Sequence, residues 1–387
     1  MPTRHRTLQQ TLRSLHLWLG LMGGTLIVMM GLTGMIAVFR PLVENSIAPS
    51  VHSTGSPSSL AAVERGFAAV HPGARILRVT IPEQNEGLML VQADTTSNPR
   101  FEAYFDAASG RELGPHQTIG LLEWIVDLHQ NLLLGKTGRR LTGIIGFALL
   151  FSAVSGLLAW LNGPREWKRG LALPASGPWR RTNYELHRWA GLWANLFMMA
   201  VSVTGIVLAY PDSFQQAVRL VTREQPPKRG ERKIKIKRET AADGLPLDAY
   251  VRAAVTAVPG GVVRELRMPG RPNGTVSVYL WAPGDIRPKG GNVVLLHPAS
   301  ASVLSVTRST EAPFPEKLVE LANAIHKTEL GGFAWKLAWS LLGLLPLLFF
   351  VSGFQIWRAR RESLVRLNQS RKEGKTELAA TVNRPAR

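Results

Sequence analysis

Residues 15–21 read LHLWLGL and residues 186–192 read LHRWAGL. Residues 128–135 read LHQNLLLG and residues 325–332 read IHKTELGG. The fragments form two matched pairs, and each sets one histidine (His16, His187, His129, His326) beside a long apolar run. Those runs decide the fold. Trp18–Phe39 holds 22 residues without a charge, and Leu141–Asn162, Trp189–Tyr210 and Leu337–Trp357 are its counterparts, the last interrupted only by Pro346. At about 1.5 Å of rise per residue, each can cross roughly 30 Å of hydrocarbon. Uncharged runs beyond about 18 residues argue for membrane spans rather than core helices of a soluble domain.

Charge sets the expected orientation. Arg4, Arg6 and Arg13 precede the first span; Arg165, Lys168, Arg169, Arg180 and Arg181 separate the second from the third; Arg358, Arg360, Arg361, Arg366, Arg371, Lys372 and Lys375 follow the fourth. The positive-inside rule puts all three segments in the cytoplasm. The net charge of +19 is therefore partly a topology signal. No nucleic-acid partner is expected, because the basic residues flank membrane segments and no binding module is visible. The first span reads as a retained anchor: its run is longer than a usual signal-peptide core and no small-x-small cleavage site closes it before Arg40. Cysteine is absent, which removes disulfides, thiolate ligands and CxxCH haem attachment.

The chain reads as one unit written twice. His16, Trp18, Gly20, Leu21, Thr33 and Gly34 match His187, Trp189, Gly191, Leu192, Thr204 and Gly205 at a constant offset of 171. His129, Gly135, Ser155, Gly156 and Trp160 match His326, Gly332, Ser352, Gly353 and Trp357 at an offset of 197. Between the spans, residues 60–73 (LAAVERGFAAVHPG) and 247–260 (LDAYVRAAVTAVPG) read as short amphipathic helices with a glycine stop. Each is followed by alternating segments: Ile76–Ile81, Leu88–Ala93 and Phe101–Phe105, then Val263–Met268, Val276–Trp281 and Val293–Leu296. Period-two alternation bounded by turn residues predicts antiparallel strands. The turns at 106–110 (DAASG) and 297–301 (HPASA) close the two sets, the second having lost the acid and the glycine.

The expected architecture is an α-helical four-span bundle with two small α+β extracytoplasmic domains and an internal tandem duplication. Residues 1–39 would be the cytoplasmic N-terminus and first span, 40–115 the first outward domain, and 116–161 an interfacial helix and second span. Residues 162–187 would be a cytoplasmic loop, 188–210 the third span, and 211–312 the second outward domain. Residues 313–357 would be an interfacial helix and fourth span, and 358–387 a cytoplasmic basic tail. Helix, strands and a DxxSG turn resemble the PepSY domain. Paired spans with boundary histidines and such insertions resemble the PepSY-associated transmembrane family over nearly the whole chain. Within that family the chain is most similar to the iron-regulated inner-membrane ferrisiderophore reductases.

An imidazole at a membrane boundary is expensive unless it has a task. Two duplicated pairs have the pattern of axial ligands to two non-covalent haems b, with His16 and His187 near the cytoplasmic face and His129 and His326 near the other. His129 precedes Trp160, and His326 precedes Trp357, by 31 residues, roughly 46 Å of straight helix. The second pair therefore lies at or above the outer interface, or the helices break near Gly135–Gly138 and Gly331–Gly332. Glycines of the first and third spans (Gly20, Gly23, Gly24, Gly31, Gly34, Gly191, Gly205) would let helices approach a flat ring, or simply one another. Arg13, Arg180, Arg181 and Arg188 on one side, and Lys136, Arg139, Arg140 and Lys336 on the other, are candidates for haem propionates as well as topology determinants. A divalent-metal site is the competing use of the histidines, but it would want carboxylates or thiols, and the nearby acids are Asp127 and Glu185. His5, His52, His71, His116 and His297 are expected to be solvated. Met22, Met29, Met30, Met198 and Met199 fit bilayer packing. Gly135-Lys-Thr resembles the end of a P-loop, but Gln130 stands where the earlier glycine belongs. The run Lys228–Arg238 is expected to be a solvated strand or linker, or an anion- or headgroup-binding surface.

The family resemblance implies a periplasmic ferric siderophore as substrate, of the hydroxamate type. A quinol or cytoplasmic reductase would supply electrons, and His129 and His326 would hold the haem nearest the substrate. Trp124, Trp335 and Trp339 are candidate walls of a docking cleft. A non-redox anchored regulator and a siderophore permease are the alternatives.

Overall fold

The computed structural model describes residues 2–51, 59–83, 85–95, 100–160, 171, 177–224, 245–271, 274–286 and 290–382. His52, Arg165, Lys168, Arg169 and the run Lys228–Arg238 lie outside the described residues. In chain order the helices are α1 (Pro2–Met22), α2 (Gly24–Ala37), α3 (Arg40–Ile47), α4 (Ala61–Val70), α5 (Gly120–Asn131), α6 (Gly135–Trp160), α7 (Trp179–Ala209), α8 (Pro211–Thr222), α9 (Leu247–Ala257), α10 (Phe314–His326), α11 (Phe333–Leu342) and α12 (Leu345–Val382). The chain forms two compact units: a helical one (Met1–Ala37, Ile125–Ala209, Leu337–Arg387) and a mixed one (Val38–Trp124, Tyr210–Lys336).

Four helices of the described chain are long and apolar enough to cross a membrane: Gly24–Ile47, Gly135–Trp160, Trp179–Ala209 and Phe333–Glu373. In the helical unit they close a ring. The second span (α6) packs along the third (α7), α1 packs on α6, and α12 packs on both α7 and α2. Spans one and three thus face each other diagonally. Glycine sets the closest approaches. A Cβ on Gly31 would lie 2.6 Å from the Gly343 carbonyl oxygen, one on Gly24 would lie 2.4 Å from the Phe350 ring, and one on Gly146 would lie 3.0 Å from Ile206. Gly24 and Gly31 of the first span therefore serve helix packing, as small residues do in membranes. Ser340 Oγ donates to the Met35 carbonyl at 3.1 Å, and Trp339 meets Phe197 edge-on at 4.7 Å, so this tryptophan is a packing residue of the bundle.

Several expected boundaries move. Residues 179–187, expected as loop, are the first turns of α7, and His187 sits inside that helix. His16 likewise lies within α1. The basic tail continues α12 as helix to Val382. Of the two arrangements open at the second histidine pair, the helices break: α5 stops at Asn131 before α6 starts at Gly135, and α10 stops at His326 before α11 starts at Phe333. The fourth span breaks again at Gly343 and Leu344, where Pro346 falls in the first turn of α12 and costs no helical hydrogen bond.

The mixed unit is built on strands β1 (Arg75–Thr80), β2 (Leu88–Asp94), β3 (Phe101–Asp106), β4 (Glu112–Pro115), β5 (Val262–Arg267), β6 (Val276–Trp281), β7 (Asn292–Leu296) and β8 (Val303–Thr307). The same order, one helix then four strands, occurs in each half. The two small domains expected from the sequence are not separate, however. All eight strands form one antiparallel sheet in the order β4-β3-β2-β1-β5-β6-β7-β8. The halves meet where β1 pairs β5, with Val79 opposite Leu266 and both side chains buried. Each half thereby covers the other's open edge, the usual liability of a short sheet. Helices α4 and α9 share the core with both halves: Val63, Phe67 and Phe105 belong to the same cluster as Tyr250, Ala254 and Leu280. Their N-termini are capped crosswise. The Asp248 carboxylate accepts from the Leu60 N–H and the Ser59 hydroxyl, each at 2.5 Å, and Glu64 accepts from the Leu247 N–H at 3.1 Å.

The DxxSG turn is explained by its contacts. The Ser109 N–H and hydroxyl and the Ala108 N–H donate to the Asp106 carboxylate, and the Ser109 N–H chiefly holds that carboxyl below the usual range. Gly110 takes φ +71° and presses on α4, where a Cβ would lie 1.9 Å from the Ala62 oxygen. In the second half His297 Nδ1 accepts the equivalent Ala299 N–H at 3.2 Å and Ala301 takes φ +51°. His297 is a turn cap. Gly66 meets the same turn from the helix side: a Cβ there would lie 1.8 Å from the Gly110 oxygen, against nothing within 4 Å at Gly120. Gly66→Ala should therefore lower stability by about 1–3 kcal/mol, and Gly120→Ala by less than about 0.5 kcal/mol. Thermal melts of the full chain in detergent would measure both.

Candidate functional site

Three of the four histidines point Nδ1 at a hydroxyl of a neighbouring helix. On α1, His16 Nδ1 lies 3.0 Å from the Ser152 carbonyl oxygen and 3.1 Å from Ser155 Oγ, both on α6. On α7, His187 Nδ1 lies 2.7 Å from Ser352 Oγ of α12. On α5, His129 Nδ1 lies 3.1 Å from the Met30 oxygen and 3.2 Å from Thr33 Oγ1, both on α2.

The hydroxyls fix which atom carries the proton. Ser155 Oγ donates to the Ser152 oxygen at 3.1 Å, Ser352 Oγ to the Leu348 oxygen at 2.7 Å, and Thr33 Oγ1 to the Met29 oxygen at 2.7 Å. Each hydroxyl proton is spent on its own helix, the usual back-bond of serine and threonine. With its proton on that carbonyl a hydroxyl accepts, and the imidazole donates from Nδ1. A carbonyl beside Nδ1 requires the same for His16 and His129. His16 and His129 consequently carry the lone pair on Nε2, and the Ser352 back-bond favours the same form at His187; it is the form in which a histidine ligates iron while its other nitrogen is held by an outer partner.

His16 and His187 belong together. They sit on α1 and α7, at matched positions of the two halves, and each is latched to a serine of the following span. Each is followed four residues on, on the same helical face, by a glycine. A Cβ on Gly20 would meet no heavy atom within 4 Å, and one on Gly191 would only reach Phe349 at 4.0 Å. Unlike Gly24 and Gly31, these two glycines are not occupied by helix packing. Phe349 stands edge-on to the His187 ring at 5.4 Å. Two imidazoles held through Nδ1, each with an uncrowded glycine on the same helical face, have the donor chemistry of a bis-histidine haem b site. Among the described residues no group of three or more His, Asp or Glu could hold a bare metal ion. Asp127 instead accepts from Asn131 at 2.7 Å, and Glu185 pairs with Arg181 at 2.8 Å.

His129 and His326 end their helices next to strained turns. Leu132 (φ +50°) and Leu133 (φ +58°) follow His129, and the buried Thr328 (φ +57°) follows His326. Left-handed conformations of branched side chains cost of order 1–3 kcal/mol each and tend to mark functional segments. Gly138 makes the first turn possible, since a Cβ there would lie 1.5 Å from the Asn131 oxygen.

The candidate cations are placed variously. Arg13 is exposed, one turn before His16 on α1, and Arg188 follows His187 on α7. Arg180 and Arg358 share Glu362 at 2.7 and 3.1 Å. Lys136 and Arg140 are exposed in the first turns of α6, and Arg139 donates to the Leu208 carbonyl at 2.8 Å, which binds it to the third span. Lys336 is half-buried on α11 in the mixed unit, where Trp124 and Trp335 are exposed. Two other histidines expected to be solvated are half-buried and have partners. His71 meets Glu112 at 2.9 Å between Phe67 and Phe101, and His116 meets the Tyr104 hydroxyl at 2.7 Å.

Four apolar helices in a closed ring, with histidines latched between them, define a multi-pass helical membrane protein. The family model described as PepSY-associated TM region matches residues 13–360, and the chain belongs to that family. Comparison with curated proteins gives no match. In haem-free protein labelled with 15N-histidine, NMR should find His16, His129 and His187 protonated at Nδ1. An Nε2–H form at any of them would contradict these hydrogen-bond directions.

Proposed function

We propose that this protein is a haem-dependent ferrisiderophore reductase of the bacterial inner membrane. The observation that carries the reading is the pair of duplicated imidazoles, His16 and His187, each held through Nδ1 by a facing helix, which leaves Nε2 for a ligand. In this reading His16 and His187 are axial ligands of one haem b, and His129 and His326 of a second. When bound, the two groups supply one-electron carriers near opposite membrane faces. The protein's own part is to hold neutral imidazoles in one tautomer and to keep water out of the bundle. Arg13, Arg188, Lys136, Arg140 and Lys336 are proposed partners for propionates.

The arginine-rich segments support a cytoplasmic location of both termini, and in this reading the mixed unit is a pair of PepSY-like domains from a tandem duplication that faces the periplasm. Electrons come from a quinol or a cytoplasmic reductase. The substrate class follows from the sequence resemblance to ferrisiderophore reductases such as FoxB. One electron converts Fe(III) to Fe(II), a softer and less charged ion that hydroxamate oxygens hold far less tightly. The chelator is left intact and the metal is released.

Purified protein from haem-replete cells should contain two haems b per chain by pyridine haemochrome. His16→Ala or His187→Ala should remove one. His129→Ala or His326→Ala should remove the other and abolish reduction of a ferric hydroxamate by proteoliposomes supplied with quinol. Colourless protein, or four histidines replaceable without loss, would leave an anchored regulator; accumulation of intact labelled chelator inside the vesicles would indicate a permease.

A further inference from the structure

Every span carries a hydroxyl residue followed by glycine: Thr33-Gly34, Ser155-Gly156, Thr204-Gly205 and Ser352-Gly353. In three of them the glycine lies under the same imidazole whose Nδ1 meets the hydroxyl. A Cβ on Gly34 would come 2.8 Å from His129 Cε1, one on Gly156 would come 3.1 Å from His16 Cε1, and one on Gly353 would come 3.6 Å from His187 Cε1. The fourth, Thr204, back-bonds to the Ala200 oxygen at 2.7 Å, as Thr33 does to Met29. We infer that the hydroxyl–glycine dipeptide is a positioning clamp for the haem ligands: the hydroxyl engages Nδ1 and the missing Cβ makes room for the Cε1 edge of the ring. This rests on the haem reading above and adds the residues that tune it.

The clamps differ in a way that can be measured. His16 and His129 each have a backbone carbonyl as a second Nδ1 acceptor, Ser152 O and Met30 O. The Nδ1 contact of His187 is the Ser352 hydroxyl. Removing that hydroxyl therefore frees the ring, whereas removing Ser155 Oγ leaves a carbonyl bond in place. The docking of α7 on α12 at this level has its own support, because Asn183, one turn before His187, donates Nδ2–H to the Ser352 backbone oxygen at 3.1 Å. That bond survives Ser352→Ala. A change seen in that variant thus reports on the ring rather than on helix packing.

Loss of an outer-shell partner of a metal-ligating histidine typically costs about 10- to 100-fold in affinity. Ser352→Ala is expected to weaken haem retention by that factor, to change the low-spin EPR g-values of one haem and to shift its midpoint potential. Ser352→Thr, which keeps the hydroxyl, should restore all three, and Ser155→Ala should change them less than Ser352→Ala. In the glycine series the perturbation should follow the distances, with Gly34→Ala largest, Gly156→Ala next and Gly353→Ala near wild type. A second readout needs no haem: in haem-free Ser352→Ala, 15N NMR should show His187 losing its Nδ1–H preference. An unchanged EPR spectrum, potential and His187 tautomer in Ser352→Ala would overturn the clamp while leaving the haem reading intact. A wild-type protein without a haem chromophore would overturn the haem reading itself, whatever the serine variants do.

Discussion

The bond on which the site depends runs from an imidazole N–H to an oxygen of the neighbouring helix. A polar hydrogen inside an apolar bundle has no water to fall back on. Leaving it unpaired costs about 1–3 kcal/mol, more than a typical hydrogen bond contributes net. Each of three histidines in the helical unit is therefore answered by an acceptor on another span: Ser152 and Ser155 for His16, Met30 and Thr33 for His129, and Ser352 for His187. The hydroxyls' own protons have acceptors one turn back on the same helix, which leaves the oxygens to accept from the ring. Local helix chemistry thus dictates the state of a ring on another helix.

The same demand explains why glycine is concentrated where it is. A ring that reaches a hydroxyl on a facing helix with Nδ1 brings its Cε1 edge against the residue next to that hydroxyl. Gly34, Gly156 and Gly353 occupy that place. Gly31 and Gly24 answer a different need, the close contact of the first and fourth spans at Gly343 and Phe350. One residue type serves two purposes in one helix, and only the partner atoms tell them apart. In the mixed unit the constraint is the exposed sheet edge. Pairing β1 with β5 turns two small sheets into one and merges their cores, which leaves only the short strands β4 and β8 at the rims.

Much of this is legible in the sequence. Spans stand out because uncharged runs of that length have few other uses, and the histidine pairs stand out because they recur at fixed offsets. The matching of Ser155-Gly156 with Ser352-Gly353 is visible too, but its meaning is not. A 3.6-residue period shows which residues share a face, not which face meets which helix. The fused sheet is hidden for a related reason: alternation predicts a strand but says nothing of its neighbour, so β1 and β5 read as edges of separate domains. Strand β4 (ELGP) carries a single large apolar residue, and β8 (VLSVT) opens on two adjacent apolar residues rather than an alternation. His71, His116 and His297 read as solvated because their partners, Glu112, Tyr104 and the Ala299 N–H, are ordinary residues carrying no motif.

The choice of a neutral acceptor has chemical consequences under the proposed function. A carboxylate behind the imidazole would make it a stronger donor to iron and stabilise the ferric state. It would also bring a further charge into the bundle, where ionised groups are costly. A serine hydroxyl or a backbone carbonyl fixes the tautomer just as well and adds no charge. The ligand then stays closer to a plain imidazole, and the ferrous state is not penalised. For a protein that must pass electrons onward rather than trap them as Fe(III), orienting the ligands with Ser155, Ser352 and Thr33 is the less expensive solution in both respects. It also explains why Asp127 and Glu185, the acids nearest the histidines in sequence, are engaged elsewhere, with Asn131 and Arg181.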